Sequence, residues 1–265
     1  MQDGRTSVET ADAAGSKAVE RVATIIMTLA EEGRPMGVGE VSEIASLPQA
    51  TVHRLLNALQ SPGWVEKDPA TARYRLGHGL LGPAVASITH SSLVEHAQPI
   101  VNRAAELAQG GNGVLAVLVG RTVVFLARSS QEQERSTVLP GFSRPAHASA
   151  SGKVLLAFME PEARKRLYRG HRQLRQFTAN TIGDVETLEA QLKTIRQNGY
   201  AVEKGEWREY MLGVAVPVHG ADGKVIAALT YGARTELLSP DRMVFVREEL
   251  AHLAEDLSSQ AGFRD

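Results

Sequence analysis

Val52, Leu55, Leu56 and Leu59 stand at i, i+3, i+4 and i+7, a spacing that lays one apolar stripe along a helix. The opposite face carries Ala50, His53, Arg54, Asn57 and Ser61, with Thr51 at its edge and Gln49 on the first turn. Upstream, Val41, Ile44 and Ala45 predict a short amphipathic helix, closed by a turn at Ser46-Leu47-Pro48. Pro48 suits the first helical position of the next element, where its missing N–H has no partner to lose. A longer helix precedes the pair: Val19, Val22, Ala23, Ile26, Leu29 and Ala30 repeat at helical spacing, and Glu31-Glu32-Gly33-Arg34-Pro35 stops it. Downstream, Pro62-Gly63 ends the striped helix. Two short strands follow, near 64–67 and 72–76, around a loop at Asp68-Pro69-Ala70-Thr71. Tyr74 and Leu76 alternate inward with Arg73 and Arg75 outward.

Helix, tight turn, helix and hairpin make a winged helix-turn-helix. A helix with leucines on one side and small, hydrogen-bonding or cationic side chains on the other meets the needs of a major-groove reader. Small residues permit close approach, and arginine and asparagine can meet purine edges bidentately. The candidate contacts to double-stranded DNA are Gln49, Ala50, Thr51, His53, Arg54 and Asn57 on the helix. Arg73 and Arg75 of the hairpin would reach phosphate or the minor groove. The alternative for the same pattern is a winged helix used for protein contacts, with the Arg54 and Asn57 face incidental.

After Gly77 the chain reads as a helix with Leu80, Leu81, Ala84, Val85 and Ile88 apolar, bent at Gly82-Pro83. Its apolar residues suggest packing against another subunit. A further helix is expected at 93–108, then strands at 114–119 and 122–127 joined at Gly120-Arg121. More strands are expected at 201–203, 212–218 and 225–230, the last two joined through Ala221-Asp222-Gly223. Helices fall at 151–159, 161–168, 185–198 and 240–258. Antiparallel strands with helices on one side and at the ends make an α+β domain.

Length and charge narrow the picture. The 265 residues leave room for two domains, of about 60 and about 170 residues. A formal net charge of −1 excludes a generally basic, nonspecific nucleic-acid binder. Residues 1–77 hold 8 basic and 10 acidic side chains, but the acids sit mostly in the tail and first two helices (Asp3, Glu9, Asp12, Glu20, Glu31, Glu32, Glu40, Glu43) and none lies on the reading helix. Phosphate affinity then depends on local cations and on a second copy of the domain, giving modest, salt-sensitive binding at two or more half-sites. The absence of cysteine excludes a disulfide framework, a thiol nucleophile and cysteine-bound zinc, and accords with a cytoplasmic protein. The amino terminus lacks the apolar core of a signal peptide. The longest apolar runs, 114–119 and 154–159, are too short to span a bilayer, so no membrane association is expected. Residues 1–16 are polar and free of aromatics, which predicts a disordered tail.

The stretch Ser149 to Lys153 admits several chemistries. A phosphate loop needs glycine at 147 and Ser or Thr at 154, where this chain has His147 and Val154. A Ser-x-x-Lys nucleophile needs serine at 150, which is alanine. What remains is a helix N-terminus: Ser149 can cap it, and the free N–H groups of Ala150 and Ser151 can hold a carboxylate. The plainer alternative is that Ser149 only caps the helix and Lys153 is solvated. His78, His90 and His96 do not share a helical face at i, i+4, and His171, His219 and His252 are isolated, so no metal site is expected. Arg164-Lys165-Arg166 with Arg169, Arg172 and Arg175 reads as a solvated face. No nucleophile–base pair of recognisable spacing appears, so no catalytic residues and no cofactor are expected.

Three blocks together carry a family resemblance. Leu47-Pro48-Gln49-Ala50-Thr51-Val52-His53-Arg54-Leu55-Leu56, followed by Tyr74-Arg75-Leu76-Gly77, is similar to the DNA-binding half of the IclR family of bacterial transcriptional regulators. Ala146-His147-Ala148-Ser149-Ala150-Ser151-Gly152-Lys153-Val154-Leu155-Leu156-Ala157 resembles the signature opening a helix in that family's effector domain. Ile195-Arg196-Gln197-Asn198-Gly199-Tyr200, then Ala215-Val216-Pro217-Val218, is the third. The blocks keep the family's order and spacing over about residues 17–260. The resemblance implies a GAF-like antiparallel sheet with a ligand pocket in the C-terminal α+β effector domain, and ligands bound at Ala150 and Ser151. It adds Glu203, Met211, Gly213, Thr230 and Gly232 as effector-binding candidates.

Two departures bear on ligand size. Gly213 stands where the family often has a cysteine, and Tyr210 replaces a usual glycine. A bare position 213 would enlarge the cavity, and Tyr210 or Trp207 would line or cover it, which leans towards an effector larger than a two- or three-carbon acid; equally, the two aromatics would only pack a loop. The domain plan implied is a tail at 1–16, a winged helix at 17–77, a linker helix at 78–92 and an effector-binding and oligomerisation domain at 93–265. The expected function is a ligand-responsive regulator, a repressor of a catabolic operon, binding partly palindromic operator DNA as a homodimer or homotetramer and sensing a small carboxylate, aliphatic or aromatic. The competing reading is an enzyme of small-acid metabolism with an accessory winged helix.

Overall fold

The structure, a computed structural model, describes residues 5–89, 92–129 and 142–261. The chain divides into two compact units, Met1–Ser87 and Ile88–Asp265. In the first, α1 (Arg5–Glu32), α2 (Val38–Ala45) and α3 (Gln49–Gln60) precede a hairpin of β1 (Val65–Lys67) and β2 (Tyr74–Leu76). The α3 stripe Val52, Leu55, Leu56 and Leu59 is buried against Ile25 and Leu29 of α1, Val41 of α2, and Met36, Val65 and Tyr74. Met36 and Tyr74 exchange both backbone hydrogen bonds at 2.8 Å, which ties the hairpin to the segment between α1 and α2.

Ser46 turns the chain from α2 to α3 in the left-handed region, φ 54°, and Pro48 caps α3 rather than occupying its first helical position. The wing strands are shorter than expected because the Asp68 carboxylate accepts the N–H groups of Ala70 and Thr71 and holds the tip as a turn. The polar stretch expected as a tail differs more: α1 already begins at Arg5, where Ala11, Ala13 and Ala14 favour helix, while residues 1–4 lie outside the described residues.

A 3₁₀ turn, His78–Leu80, leads into α4 (Leu81–Thr89), so Gly82-Pro83 falls in the first turn of a helix instead of bending a longer one. Residues 90 and 91 of the expected linker, His90 among them, lie outside the described residues.

The second unit continues with α5 (Ser92–Glu106), β3 (Asn112–Val119), β4 (Thr122–Arg128), β5 (Ser143–Pro145), α6 (Ala150–Phe158), α7 (Pro161–Leu167), α8 (Val185–Asn198), β6 (Ala201–Lys204), β7 (Met211–His219), β8 (Val225–Arg234) and α9 (Pro240–Ala261). Its six strands run in the order β5-β4-β3-β8-β7-β6, antiparallel at every step. Helices cover both faces, not one side and the ends. Val214, Val216, Val218, Ala227, Leu229 and Tyr231 pack with α5 and α9, while Val114, Ala116, Ala201, Ala215 and Ala228 pack with α6 and α8. The runs Val214-Ala215-Val216 and Ala227-Ala228-Leu229 are apolar at consecutive positions, as strands buried on both faces must be.

Candidate functional site

On α3 the polar face stands clear of the core. Gln49, Ala50, His53, Arg54 and Asn57 are exposed and Thr51 is half-buried. The Arg54 side chain makes no hydrogen bond or ion pair among the described residues. Asn57 is oriented: its Oδ1 accepts from Tyr74 Oη at 3.3 Å and from Gln60 Nε2 at 3.1 Å, and its Nδ2 lies 3.4 Å from His53 Nε2.

The wing arginines point outward as expected, but each is held by the chain's own acids. Arg73 Nη1 donates to Glu40 Oε2 at 2.9 Å and to the Pro35 carbonyl at 3.0 Å. Arg75 donates twice to Glu66 Oε2, and His78 Nδ1 lies 2.7 Å from the other Glu66 oxygen. His78 and Arg75 together hold the Glu66 carboxyl below its ordinary range. These pairs are solvent-exposed and so worth little to stability; phosphate can take the carboxylate's place.

The second site arises from strand register. Asn112 of β3 faces Gly232 of β8, Gly232 faces Gly213 of β7, and Gly213 faces Glu203 of β6. One row thus crosses four strands with two bare glycines at its centre. In the next row on the same face, Val114, Ala215 and Ala201 belong to the core under α6 and α8, with Thr230 between Val114 and Ala215.

The start of α6 lies over the glycines: a Cβ on Gly213 would meet Ala150 Cβ at 3.5 Å and Glu203 Oε2 at 3.7 Å. Ser149 caps α6, its Oγ accepting the Gly152 N–H at 3.2 Å. Gly152 is required there, because a Cβ would fall 2.2 Å from the Ala146 carbonyl oxygen. The resulting cavity of about 30 Å³ is lined by all seven resemblance-based candidates, Ala150, Ser151, Glu203, Met211, Gly213, Thr230 and Gly232.

Asn112, Phe125 and Arg144 also line it and were not anticipated. Asn112 Nδ2 donates to the Gly232 carbonyl at 3.0 Å, fixing one end of the row. At the other end Glu203 Oε1 accepts the N–H groups of Glu206 (2.7 Å) and Trp207 (3.1 Å). Burial pushes the Glu203 carboxyl up, against these backbone bonds and the pull of Arg144.

Behind the cavity, Lys153 is fully buried, contrary to the solvated alternative. Its Nζ donates to the Val202 carbonyl at 2.9 Å and to Glu206 Oε1 at 2.5 Å, stapling α6 to the turn that holds Glu203. Trp207 and Tyr210 do not line the cavity. Trp207 packs on Phe177 at 4.5 Å between centroids, and Tyr210 is half-exposed beneath Arg234, so the loop-packing alternative describes them. With these aromatics elsewhere, the lean towards a larger effector keeps only the bare position 213 as support.

An exposed reading helix in a winged helix, in one chain with a cavity lined by converging polar groups in an α+β unit, points to a ligand-responsive DNA-binding regulator. The IclR helix-turn-helix domain matches residues 18–69, and the bacterial transcriptional regulator IclR C-terminal domain matches residues 85–259. The chain belongs to the IclR family of bacterial transcriptional regulators. It is 30% identical to the HTH-type transcriptional repressor AllR of Escherichia coli (strain K12), over 94% of this chain and 92% of that one.

Among solved structures, an IclR-type transcriptional regulator from Silicibacter sp. TM1040 superposes with a TM-score of 0.74 at 23% identity. That match covers 92% of this chain and 96% of that one. The inducer-binding domain of the PobR transcription factor from Acinetobacter, a double mutant in complex with 3-hydroxybenzoic acid, matches at a TM-score of 0.57 and 30% identity. It covers 63% of this chain and 98% of that one. The protein is a DNA-binding transcriptional regulator, with its helix-turn-helix in the first unit and the family's effector-binding domain in the second.

Proposed function

We propose that this regulator represses a catabolic operon from a partly palindromic operator in the cytoplasm and is released or retained by a small carboxylate bound beneath the start of α6. The observation that carries the ligand reading is the bare Gly213–Gly232 pair flanked by Asn112 and Glu203. Such a floor leaves space above the sheet where polar groups converge, and the free N–H groups at the start of α6 favour an anion. The PobR domain's complex with a hydroxybenzoic acid supports an acid as ligand. Repression accords with the name of AllR and needs no contact surface for the transcription machinery.

On the DNA side, Gln49, Ala50, Thr51, His53, Arg54 and Asn57 read base edges, and Arg73 and Arg75 exchange Glu40 and Glu66 for phosphate. The domain plan of 17–77, 78–92 and 93–265 then separates reading, linking and sensing. Leu81 on α4 is 59% exposed, which supports self-association through the linker as a dimer or tetramer. Retardation of DNA from the chain's own promoter region, altered by adding an organic acid, tests the reading; retardation indifferent to every acid that binds overturns it. Sedimentation showing only a 28.5 kDa monomer at micromolar concentration overturns the oligomer.

A further inference from the structure

The cavity holds a positive charge, Arg144, that no salt bridge neutralises among the described residues. Arg144 sits on the edge strand β5, opposite Val123 of β4, with its guanidinium 5.4 Å from the Phe125 ring centroid and 5.9 Å from that of Phe142. Its Nε is sealed from solvent and has no hydrogen-bond partner among the described residues. Glu203 acts on Arg144 through space, but one of its oxygens is already committed to two backbone N–H groups. A second polar atom on the same cavity, Thr230 Oγ1, is also buried and unpartnered. Native folds pair nearly all such atoms, and a ligand seated in this cavity would partner both of these.

We propose that Arg144 is the charge-selecting residue of this cavity: its guanidinium takes the effector's carboxylate, while Thr230 Oγ1 takes a hydroxyl or oxo group on the same molecule and Glu203 Oε2 accepts from the hydroxyl where there is one. The ligand class is then a hydroxy- or oxo-carboxylic acid. This rests on the reading of the cavity as the effector site and adds the residue that sets the ligand's charge. The guanidinium fork matches a carboxylate bidentately, and the Phe125 and Phe142 rings lie against it as cation–π partners. Arginine stays charged at neutral pH even though burial lowers its pKa. Thr230 offers both a donor and an acceptor, which suits a hydroxyl as well as an oxo oxygen.

The test is calorimetry and thermal shift on the full chain with four probes: lactate, pyruvate, propionate, which lacks the hydroxyl or oxo group, and lactamide, which lacks the charge. Lactate or pyruvate should bind at millimolar concentration or better, propionate at least tenfold more weakly, and lactamide not at all. Arg144→Gln should weaken lactate and pyruvate at least tenfold, and Arg144→Lys should restore part of the loss. Thr230→Val should remove the preference for lactate over propionate while leaving propionate unchanged. Gly213→Leu, which places a side chain in the cavity, should abolish binding of every acid.

If acids are lost in Gly213→Leu but bind Arg144→Gln undiminished, Arg144 is not the anchor and the cavity remains the effector site. If Gly213→Leu binds as the parent does, the cavity reading falls and this inference falls with it. If Arg144→Gln does not fold, Arg144→Lys and Thr230→Val decide; a Thr230→Val protein that keeps its preference for lactate overturns the ligand class. Failure of the parent to bind lactate or pyruvate overturns it as well.

Discussion

The reading helix and the cavity place their polar groups in opposite ways. On α3 a half-turn of helix separates what holds the domain together from what meets the outside: Leu55 and Leu56 are buried while His53 and Arg54 beside them are exposed. In the cavity the polar groups are buried, come from strands far apart in sequence, and serve fold and ligand at once. Glu203 both braces the turn at Glu206 and Trp207 and lines the cavity, and Lys153 staples that turn to α6. Stability and function are therefore separable by single substitutions on α3 and entangled around the cavity.

The largest expected effect breaks the entangled side. Lys153→Met leaves Glu206 buried without its cation and should cost about 3–5 kcal/mol in urea unfolding of the full chain. Adding Glu206→Gln should recover part of that loss, because it removes the orphaned charge; no recovery would mean that the pair is incidental. Leu56→Ala opens a cavity in the first unit's core and should cost about 2–5 kcal/mol. Arg54→Ala is the counterpart on the same helix. It should leave unfolding unchanged yet weaken operator binding by about 1–3 kcal/mol, with specificity relaxed at one base pair.

The smallest effect is a pH dependence. Burial holds the His147 pKa below its ordinary value, while its Nε2–H donates to the Arg175 carbonyl at 2.9 Å. The unfolded chain takes up that proton near pH 6.5, before the folded chain does. Its contribution to stability is thus complete above about pH 6.5 and is lost as the pH falls below it. Glu203, whose pKa burial raises, runs the other way: its contribution is lost as the pH rises through the raised value. Comparing parent and His147→Gln isolates the histidine. The parent should lose more stability than the variant between pH 7.5 and 5.5, and equal losses would exclude His147 as a source.

The same contrast explains what the sequence made legible. Helix periodicity found α3 and its exposed face directly, and Val185–Asn198 was bounded to the residue because Asp184 caps it and Gly199 ends it at φ 77°. The cavity was reached only through the family resemblance, because its floor is a row of cross-strand neighbours and no local spacing encodes strand register. Arg144 left no signal: it lies on a three-residue strand whose place is set by pairing with β4. The burial of Lys153 does have a local signal. A helix reading Val154-Leu155-Leu156-Ala157 after Ala150 has no polar face on which to solvate a lysine, so its charge has to find a buried partner. The wing showed its arginines but not their acids, because Glu40 pairs with Arg73 across 33 residues of sequence.

The central claim is that ligand in the cavity and DNA on α3 are thermodynamically linked. The direct measurement is the affinity of the full chain for fluorescently labelled promoter DNA, with and without a saturating acid already shown by calorimetry to bind. The account predicts a change of about 5–150-fold, the usual span of allosteric coupling, and none in the cavity-filled Gly213→Leu protein. Equal DNA affinity for the acid-free and acid-saturated parent would contradict it.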